Sequence, residues 1–407
     1  MRRVVVTGMG GVTSLGNDWK SIRNKMEAGE TGIRYMGEWD RYVDLNTRLA
    51  APVLGFDVEK RYPRKALRSM GPVSKMAVYA AESALKDAEL FGDDNLLGSG
   101  RVGVSCGSSF GSIQPVIAFA ELMTKGTMRN ITATSYVKLM NHTTAVNIGM
   151  FFGAKGRIIP TSTACTSGSQ GIGYGYEAIK YGMQDVMITG GAEELCVSMA
   201  AVFDSLYATS IRNNEPNYTP RPFDRDRDGL VIGEGAGILI LEEYEHAKSR
   251  GATIHAEIVG YGTNSDGNHI TQPTKETMEL AIRLSLNDAG LTADRIGFIN
   301  GHGTATDRGD VAESNATYSV FGNIPIHSLK SYFGHNLGAC GAIEAWLGIE
   351  MMRDNWFAYT ANLENVDENC ADLDYIIEVP RRLEVEFFMS NNFAFGGINT
   401  SLIFRRV

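Results

Sequence analysis

Cys165 sits in Ile158-Ile159-Pro160-Thr161-Ser162-Thr163-Ala164-Cys165-Thr166-Ser167-Gly168-Ser169, where an apolar run gives way to small residues and then to a helical pattern. Two histidines lie far downstream in separate glycine-flanked stretches. His302 is in Gly301-His302-Gly303-Thr304, and His335 closes Lys330-Ser331-Tyr332-Phe333-Gly334-His335. A fourth stretch, Asn392-Phe393-Ala394-Phe395-Gly396-Gly397, adds a glycine-rich turn. A thiol with two separated histidines is a set for covalent catalysis. The sulfur attacks a carbonyl carbon, while imidazole takes a proton or donates to a developing oxygen charge.

A free cysteine is more often a small buried hydrophobe than a nucleophile. The surroundings of Cys165 argue for chemistry. A strand ending near Thr161 would place it on a sharp turn at a helix start, where N–H groups and the helix field favour the thiolate. Ala164, Ser167 and Gly168 would leave room for a bulky acyl group. Cys106 also follows an apolar run, and its expected role is core packing or pocket lining. Cys196, Cys340 and Cys370 have no such context and are read as structural. None of the five cysteines has zinc-site spacing. Donors distant in sequence can still meet in space, so spacing leaves that question open, and no metal is assigned.

Neutral imidazoles at His302 and His335 can donate to a thioester carbonyl or enolate, and one can accept the Cys165 proton. Each has an ordinary alternative as a loop histidine bonded to backbone. Lys330 can tune their protonation, or stand as a solvated charge. Asp310 and Glu313 are three apart and share a helix face. Glu313 is expected to hold Lys330 or a loop backbone, and Asp310 to cap a helix or face solvent.

The elements that must position these residues alternate between strand and helix. Val4–Val6 reads as a strand entering a glycine-rich turn, and residues 33–63 as loops or a surface excursion. Helices are expected over Val73–Leu90, Thr143–Phe152, Gly171–Tyr181, Lys275–Ala289 and Ala342–Met352. Strands are expected at Val102–Cys106, Asp185–Thr189, Ile254–Ile258 and Ile296–Asn300. Late strands at Phe387–Ser390 and Leu402–Phe404 flank the Ala394–Gly397 turn. The pattern divides into two comparable α/β halves, 1–250 with the cysteine and 251–407 with both histidines. Glycine is abundant, at 46 of 407 residues, and many lie in apolar contexts, which implies close backbone packing. A net charge of −9 disfavours a nucleic-acid-binding face. The apolar start is too short for a signal peptide or membrane span, and scattered cysteines fit a reducing cytoplasm.

Taken in order, these segments resemble the β-ketoacyl-acyl-carrier-protein synthases, nearest the elongating condensing enzymes of type II fatty-acid synthesis. The resemblance spans the chain. It rests on Val4-Val5-Val6-Thr7-Gly8-Met9-Gly10, Thr163 to Gly168, Arg221-Pro222-Phe223-Asp224 through Gly229, Gly233 to Gly237, His302 to Thr306, Lys330 to His335 and Asn391 to Gly397. It implies a duplicated, thiolase-like α/β/α/β/α fold. It implies decarboxylative condensation of a Cys165-bound acyl group with malonyl-acyl-carrier protein, giving 3-oxoacyl-carrier protein, in fatty-acid or specialised polyketide elongation. By resemblance, His302 and His335 face the malonyl thioester, and Lys330 with Glu313 is their supporting pair. Backbone N–H groups of Cys165 and Phe395 form the oxyanion site and gate. Thr304 and Thr306 lie near the phosphopantetheine arm, which the carrier supplies, so no intrinsic cofactor is expected. The alternative function is a noncatalytic partner that shapes chain length in a synthase complex.

Two positions bear on the acyl pocket. Phe110 and Phe203 match pocket-lining sites; the bulk of Phe110 would shorten or redirect the pocket, with simple loop packing as its alternative role. Ala394 replaces a common glycine and would restrict the gate if that site needs a positive φ. These departures fit a specialised branch, including aryl-polyene synthesis. Arg61, Arg64, Lys65 and Arg68 form a basic cluster, either a solvated helix face or a docking surface for acidic acyl carrier protein. The resemblance further implies a homodimer, with a related heterodimer as the alternative.

Overall fold

The computed structural model describes residues 1–407. Eleven strands form one sheet: β1 (Val4–Val12), β2 (Val102–Gly107), β3 (Ile158–Thr161), β4 (Val186–Glu193), β5 (Gly235–Glu243), β6 (Ala256–Ser265), β7 (Ile296–Asn300), β8 (Pro325–His327), β9 (Asp374–Tyr375), β10 (Phe387–Ala394) and β11 (Ile398–Arg405). Their spatial order is β9-β8-β7-β10-β11-β6-β1-β5-β4-β2-β3. The order β3-β2-β4-β5-β1 in the first half is repeated as β8-β7-β10-β11-β6 in the second.

Strand senses repeat as well. β2 runs parallel to β3 and β4, while β4–β5 and β5–β1 are antiparallel. In the second half β7 runs parallel to β8 and β10, while β10–β11 and β11–β6 are antiparallel. The halves are stitched where Val4–Val6 of β1 pair with Ala256–Ile258 of β6. The duplication lies in topology.

Five long helices complete the layers: α1 (Pro72–Asp87), α2 (Ser167–Lys180), α3 (Lys275–Ala289), α4 (Asp307–Phe321) and α5 (Cys340–Asp354). α2 and α5 are buried almost throughout. Ile172 and Ile179 of α2 and Trp346 and Leu347 of α5 share a core with Leu239 of the first half and Phe298, Phe388 and Phe404 of the second. α1 covers the outer face of the first half, with Ala80 and Ala84 against Val104, Ile188 and Ile240. α3 and α4 cover the second, with Ile282 and Ala316 against Ile299 and Ile403. The result is the expected α/β/α/β/α stack. Central strands such as β5 are buried on both faces and so read as continuous apolar runs. No helix is long and apolar enough to cross a membrane.

The expected turn after Val6 is instead strand: β1 continues through Gly8, Gly10 and Gly11 to Val12. Gly8 and Gly10 let α1 lie directly on the strand backbone, while Gly11 makes room for the Trp346 ring of α5. A Cβ at Gly10 would sit 2.6 Å from the Ala80 carbonyl oxygen, and one at Gly8 would collide with that of Ala84. Gly8→Ala is therefore expected to destabilise the protein by about 1–3 kcal/mol through overpacking, read as a lower denaturation midpoint at unchanged m-value. Residues 33–63 also differ from expectation. They include strand Leu49–Ala51, and Trp39, Leu49, Ala50 and Ala51 are buried, so the segment is part of the core.

Candidate active site

β3 ends at Thr161, and a 3-10 turn, Ala164–Thr166, runs straight into α2. Cys165 lies in that turn with 3% of its surface exposed. Ala164 has φ +50°, an uncommon conformation for a residue with a Cβ. Local bonds hold it: Thr166 Oγ1 donates to the Thr163 carbonyl and Ser167 Oγ to that of Ala164, each at 2.8 Å. The Cys340 thiol donates to the Cys165 carbonyl at 3.2 Å. Contrary to expectation, Gly168 does not make room for an acyl group. Its missing Cβ admits the Gly338 carbonyl, 2.8 Å from where that Cβ would be.

His335 Nε2 lies 2.9 Å from Cys165 Sγ, and its Nδ1 accepts the Leu337 N–H at 3.2 Å. A neutral imidazole that accepts at Nδ1 carries its proton on Nε2. His335 thus presents a donor to the sulfur. Asn392 Nδ2 makes a longer contact, 3.4 Å, with His302 Nδ1, which favours the same tautomer there. The rings stand edge to face with centroids 5.3 Å apart. One ligand-type atom from each of Cys165, His302 and His335 lies within 4.8 Å of the others. This clustering does not suit a metal. A histidine that ligates through Nε2 gives its Nδ1–H to an acceptor, whereas here both Nδ1 atoms face N–H donors.

Burial, reinforced by the charge on Lys330, holds both imidazoles well below the usual histidine range. They are therefore neutral donors at physiological pH. Since a lowered pKa moves protonation below about 6.5, the ring nitrogens of His302 and His335 should show neutral-form shifts from pH 8 down through pH 6. Histidine-selective 15N NMR checks this, and an imidazolium signal from either ring at pH 6 would contradict it.

Burial pushes the Cys165 thiol up to about 11, against the N–H groups of Phe395 and of Cys165 itself and the charge on Lys330, which favour the anion. The local donors expected to favour the thiolate are thus outweighed by desolvation in this closed turn, which favours the thiol.

The expected Lys330–Glu313 pair is also corrected. Lys330 Nζ donates to Glu344 Oε1 at 2.5 Å, and Asn392 Nδ2 donates to the other Glu344 oxygen at 2.6 Å. A chain Lys330–Glu344–Asn392 therefore ends at His302. Burial is the largest influence and acts to lower the Lys330 ammonium, but Glu344, Cys340 and Glu313 together raise it above its ordinary value, so the amine stays charged. Glu313 takes its other expected role. Its oxygens accept the His302 and Gly303 N–H groups at 2.6 and 2.7 Å, which leaves neither free for Lys330. Asp310 neither caps a helix nor faces solvent. It is buried and accepts from the N–H groups of Phe223, Thr304 and Ala305.

A cavity of about 600 Å³ reaches Cys165, His302 and His335 and is also lined by Thr304, Thr306, Phe203 and Phe395. The Thr304 and Thr306 hydroxyls are 2.8 Å apart. Phe395 meets Phe203 edge-on at 5.7 Å. Phe110 is not in this wall. It sits on the loop after β2, 39% exposed, because Glu193 holds the Ser109 N–H and Ser108 that of Gly111. Ala394 ends β10 paired with Ile398, and positive φ falls at Gly396 and Gly397 instead. Its methyl therefore costs the gate no strain.

Sequence profiles of the β-ketoacyl synthase N-terminal and C-terminal domains match residues 1–247 and 255–364. The chain belongs to the β-ketoacyl synthase family. It is 38% identical over 415 residues to 3-oxoacyl-[acyl-carrier-protein] synthase 2 of Vibrio cholerae, covering 100% of this chain and 99% of that one. The crystal structure of a β-ketoacyl synthase from Burkholderia phymatum STM815 superimposes with a TM-score of 0.99 at 60% identity, over 100% of both chains. A type II polyketide synthase ketosynthase, solved in complex with its acyl-carrier protein, gives a TM-score of 0.88 at 32% identity, again over 100% of both.

Two site residues of this β-ketoacyl synthase escaped the reading of the sequence. Glu344 is a single acid inside the apolar helical run Gly341-Ala342-Ile343-Glu344-Ala345-Trp346, and that isolation was its available signal. Asn392 lies within the Asn391 to Gly397 motif, which assigned it no role. The basic cluster is also modified. It is formed by a turn and the 3-10 helix Ala66–Ser69 and not by an α-helical face. Arg61 is tied to Glu82 at 2.5 Å, while Arg64, Lys65 and Arg68 are exposed and form no ion pair.

Proposed function

We propose that this β-ketoacyl synthase catalyses decarboxylative Claisen condensation between a Cys165-bound acyl group and malonyl-acyl-carrier protein. The observation that carries the reading is the convergence of the Cys165 thiol with two neutral imidazoles at the inner end of one cavity. In the first half-reaction Cys165 Sγ attacks the acyl-carrier thioester. The carrier thiol departs with the proton that Cys165 loses. The N–H groups of Cys165 and Phe395 face the sulfur and are assigned the oxyanion of the tetrahedral intermediate.

In the second half-reaction the malonyl thioester carbonyl accepts from the Nε2–H groups of His302 and His335. Loss of CO2 leaves an enolate that these two donors stabilise. Its carbon attacks the acyl carbonyl, and collapse of the adduct expels Cys165 as thiolate, which regains a proton. The products are 3-oxoacyl-acyl-carrier protein, CO2 and free Cys165. Covalent attachment makes the carbon–carbon step effectively unimolecular.

Thr304 and Thr306 are assigned to the phosphopantetheine arm, which arrives on the carrier, and Phe203 with Phe395 to the gated acyl side. Arg64, Lys65 and Arg68 supply unpaired positive charge for an acidic carrier. Exposed Ile117, Met123, Tyr136 and Met150 lie on helices leading to the free edge strand β3, which supports a homodimer. The halves 1–250 and 251–407 are read as one catalytic unit, since the nucleophile and histidines come from opposite sides. Five unpaired cysteines fit a cytoplasmic location.

The test is reconstitution with acyl-carrier thioester and malonyl-acyl-carrier protein, followed by intact-mass and product analysis. An acyl adduct on Cys165 and a 3-oxoacyl product two carbons longer are expected. Absence of both across short, medium and aryl-polyene donors overturns the reading.

A further inference from the structure

Glu193 ends β4 behind the active site, fully buried, with no place in the chemistry above. Its Oε2 accepts the Gly338 N–H at 3.0 Å and the Ser109 N–H at 2.7 Å. Gly338 follows Leu337, whose N–H binds His335 Nδ1. Leu337 has φ +44°, in the left-handed region that a branched side chain rarely adopts. Such a conformation persists only where its surroundings enforce it.

Glu193 is one of those surroundings, and close packing supplies the rest. A Cβ on Gly338 would come within 2.9 Å of Glu193 Oε2 and of Ser108 Cα. On the other side the Gly338 carbonyl fills the space left by the missing Cβ atoms of Gly168 and Gly191.

Resting on the condensation reading, we propose that Glu193 is a positioning residue for His335. Its carboxyl pins the Leu337–Gly338 turn, and the Leu337 N–H then keeps the His335 proton on Nε2, where the malonyl carbonyl needs it. This work needs an acceptor oxygen and not a charge. Glu193 Oε1 has no partner, and no cation is paired with the group. Facing it are Glu194 and the Cys165 thiol, neither of them positive. Burial, chiefly, moves the carboxyl up to about 7, which agrees with a protonated Oε1.

The charge-free reading makes Glu193→Gln the faithful replacement, with its amide oxygen at Oε2, whereas Glu193→Ala removes the pin. Malonyl-carrier decarboxylation and the His335 15N tautomer signature are measured in both variants beside the wild type. Glu193→Ala should slow decarboxylation tenfold to about a hundredfold, the scale of a misplaced catalytic group, and mix the two His335 tautomers. Glu193→Gln should stay within about threefold of wild type and keep the Nε2–H signature.

A native rate and tautomer in Glu193→Ala would overturn the proposal. Should the alanine variant fail to fold, the glutamine variant decides alone, since a loss of rate or tautomer there overturns it equally. Wild-type protein that does not condense acyl groups would sink the functional reading itself, a separate outcome.

Discussion

Cys165→Ala is expected to end acyl transfer altogether, with no acyl adduct by intact mass and condensation reduced by more than about a thousandfold. The turn holding Cys165 leaves the reaction no substitute. Cys340 is the nearest other thiol, but it donates to the Cys165 carbonyl and sits beside the Lys330–Glu344 pair. Burial also raises its pKa well above the usual thiol range. The loss should be selective. His302, His335 and their supports do not depend on the sulfur, so malonyl-carrier decarboxylation should persist when assayed by CO2 release. Folding should be nearly intact, since one small buried atom is removed. An acyl adduct on the alanine variant would show that the nucleophile lies elsewhere.

Glu344→Ala should produce the largest loss of stability, because it strands the buried Lys330 ammonium without a counter-charge. Breaking a buried pair from one side costs about 3–5 kcal/mol, which for a chain of this length is a fall in Tm of roughly 5 °C. The same substitution removes the carboxylate oxygen that holds Asn392, the residue that reaches His302 Nδ1. Decarboxylation should therefore fall along with stability. Pairing Lys330→Met with Glu344→Leu separates the two effects. An apolar pair of similar volume should recover most of the stability but not the alignment of His302, so Tm should return and decarboxylation should not. Recovery of both would show that the chain from Lys330 to His302 serves folding alone.

The three side chains assigned to the reaction were legible because each stands in a distinctive local sequence. Cys165 follows an apolar run and precedes a helix, and each histidine is flanked by glycine. Their immediate supports were only half legible. Glu313 had two open partners, Lys330 or a loop backbone. Sequence could not choose, because the choice depends on where the end of β7 lies relative to α4. Once the His302 and Gly303 N–H groups occupy both Glu313 oxygens, Lys330 must find another acid, and α5 supplies Glu344. Phe110 matched a pocket position by family resemblance, yet the backbone of its loop is held by Glu193 and Ser108 and its ring lies outside the cavity of the single chain.

By itself, the sequence determined the alternation of strands and helices, the motifs that mark the family, and Cys165, His302 and His335 as candidate reacting groups. These are local properties, set by hydrophobic period, turn residues and short motifs. Tertiary structure decided what depends on distance between segments remote in the chain. It carried β1 through its glycines, because α1 lies directly on that backbone. It kept Cys165 a thiol, because burial outweighs the nearby N–H donors. It placed the His335 proton on Nε2, because Leu337 is held in a strained turn with its N–H on Nδ1. Charge, tautomer and strain are energies of the folded environment, and only the packed halves create that environment.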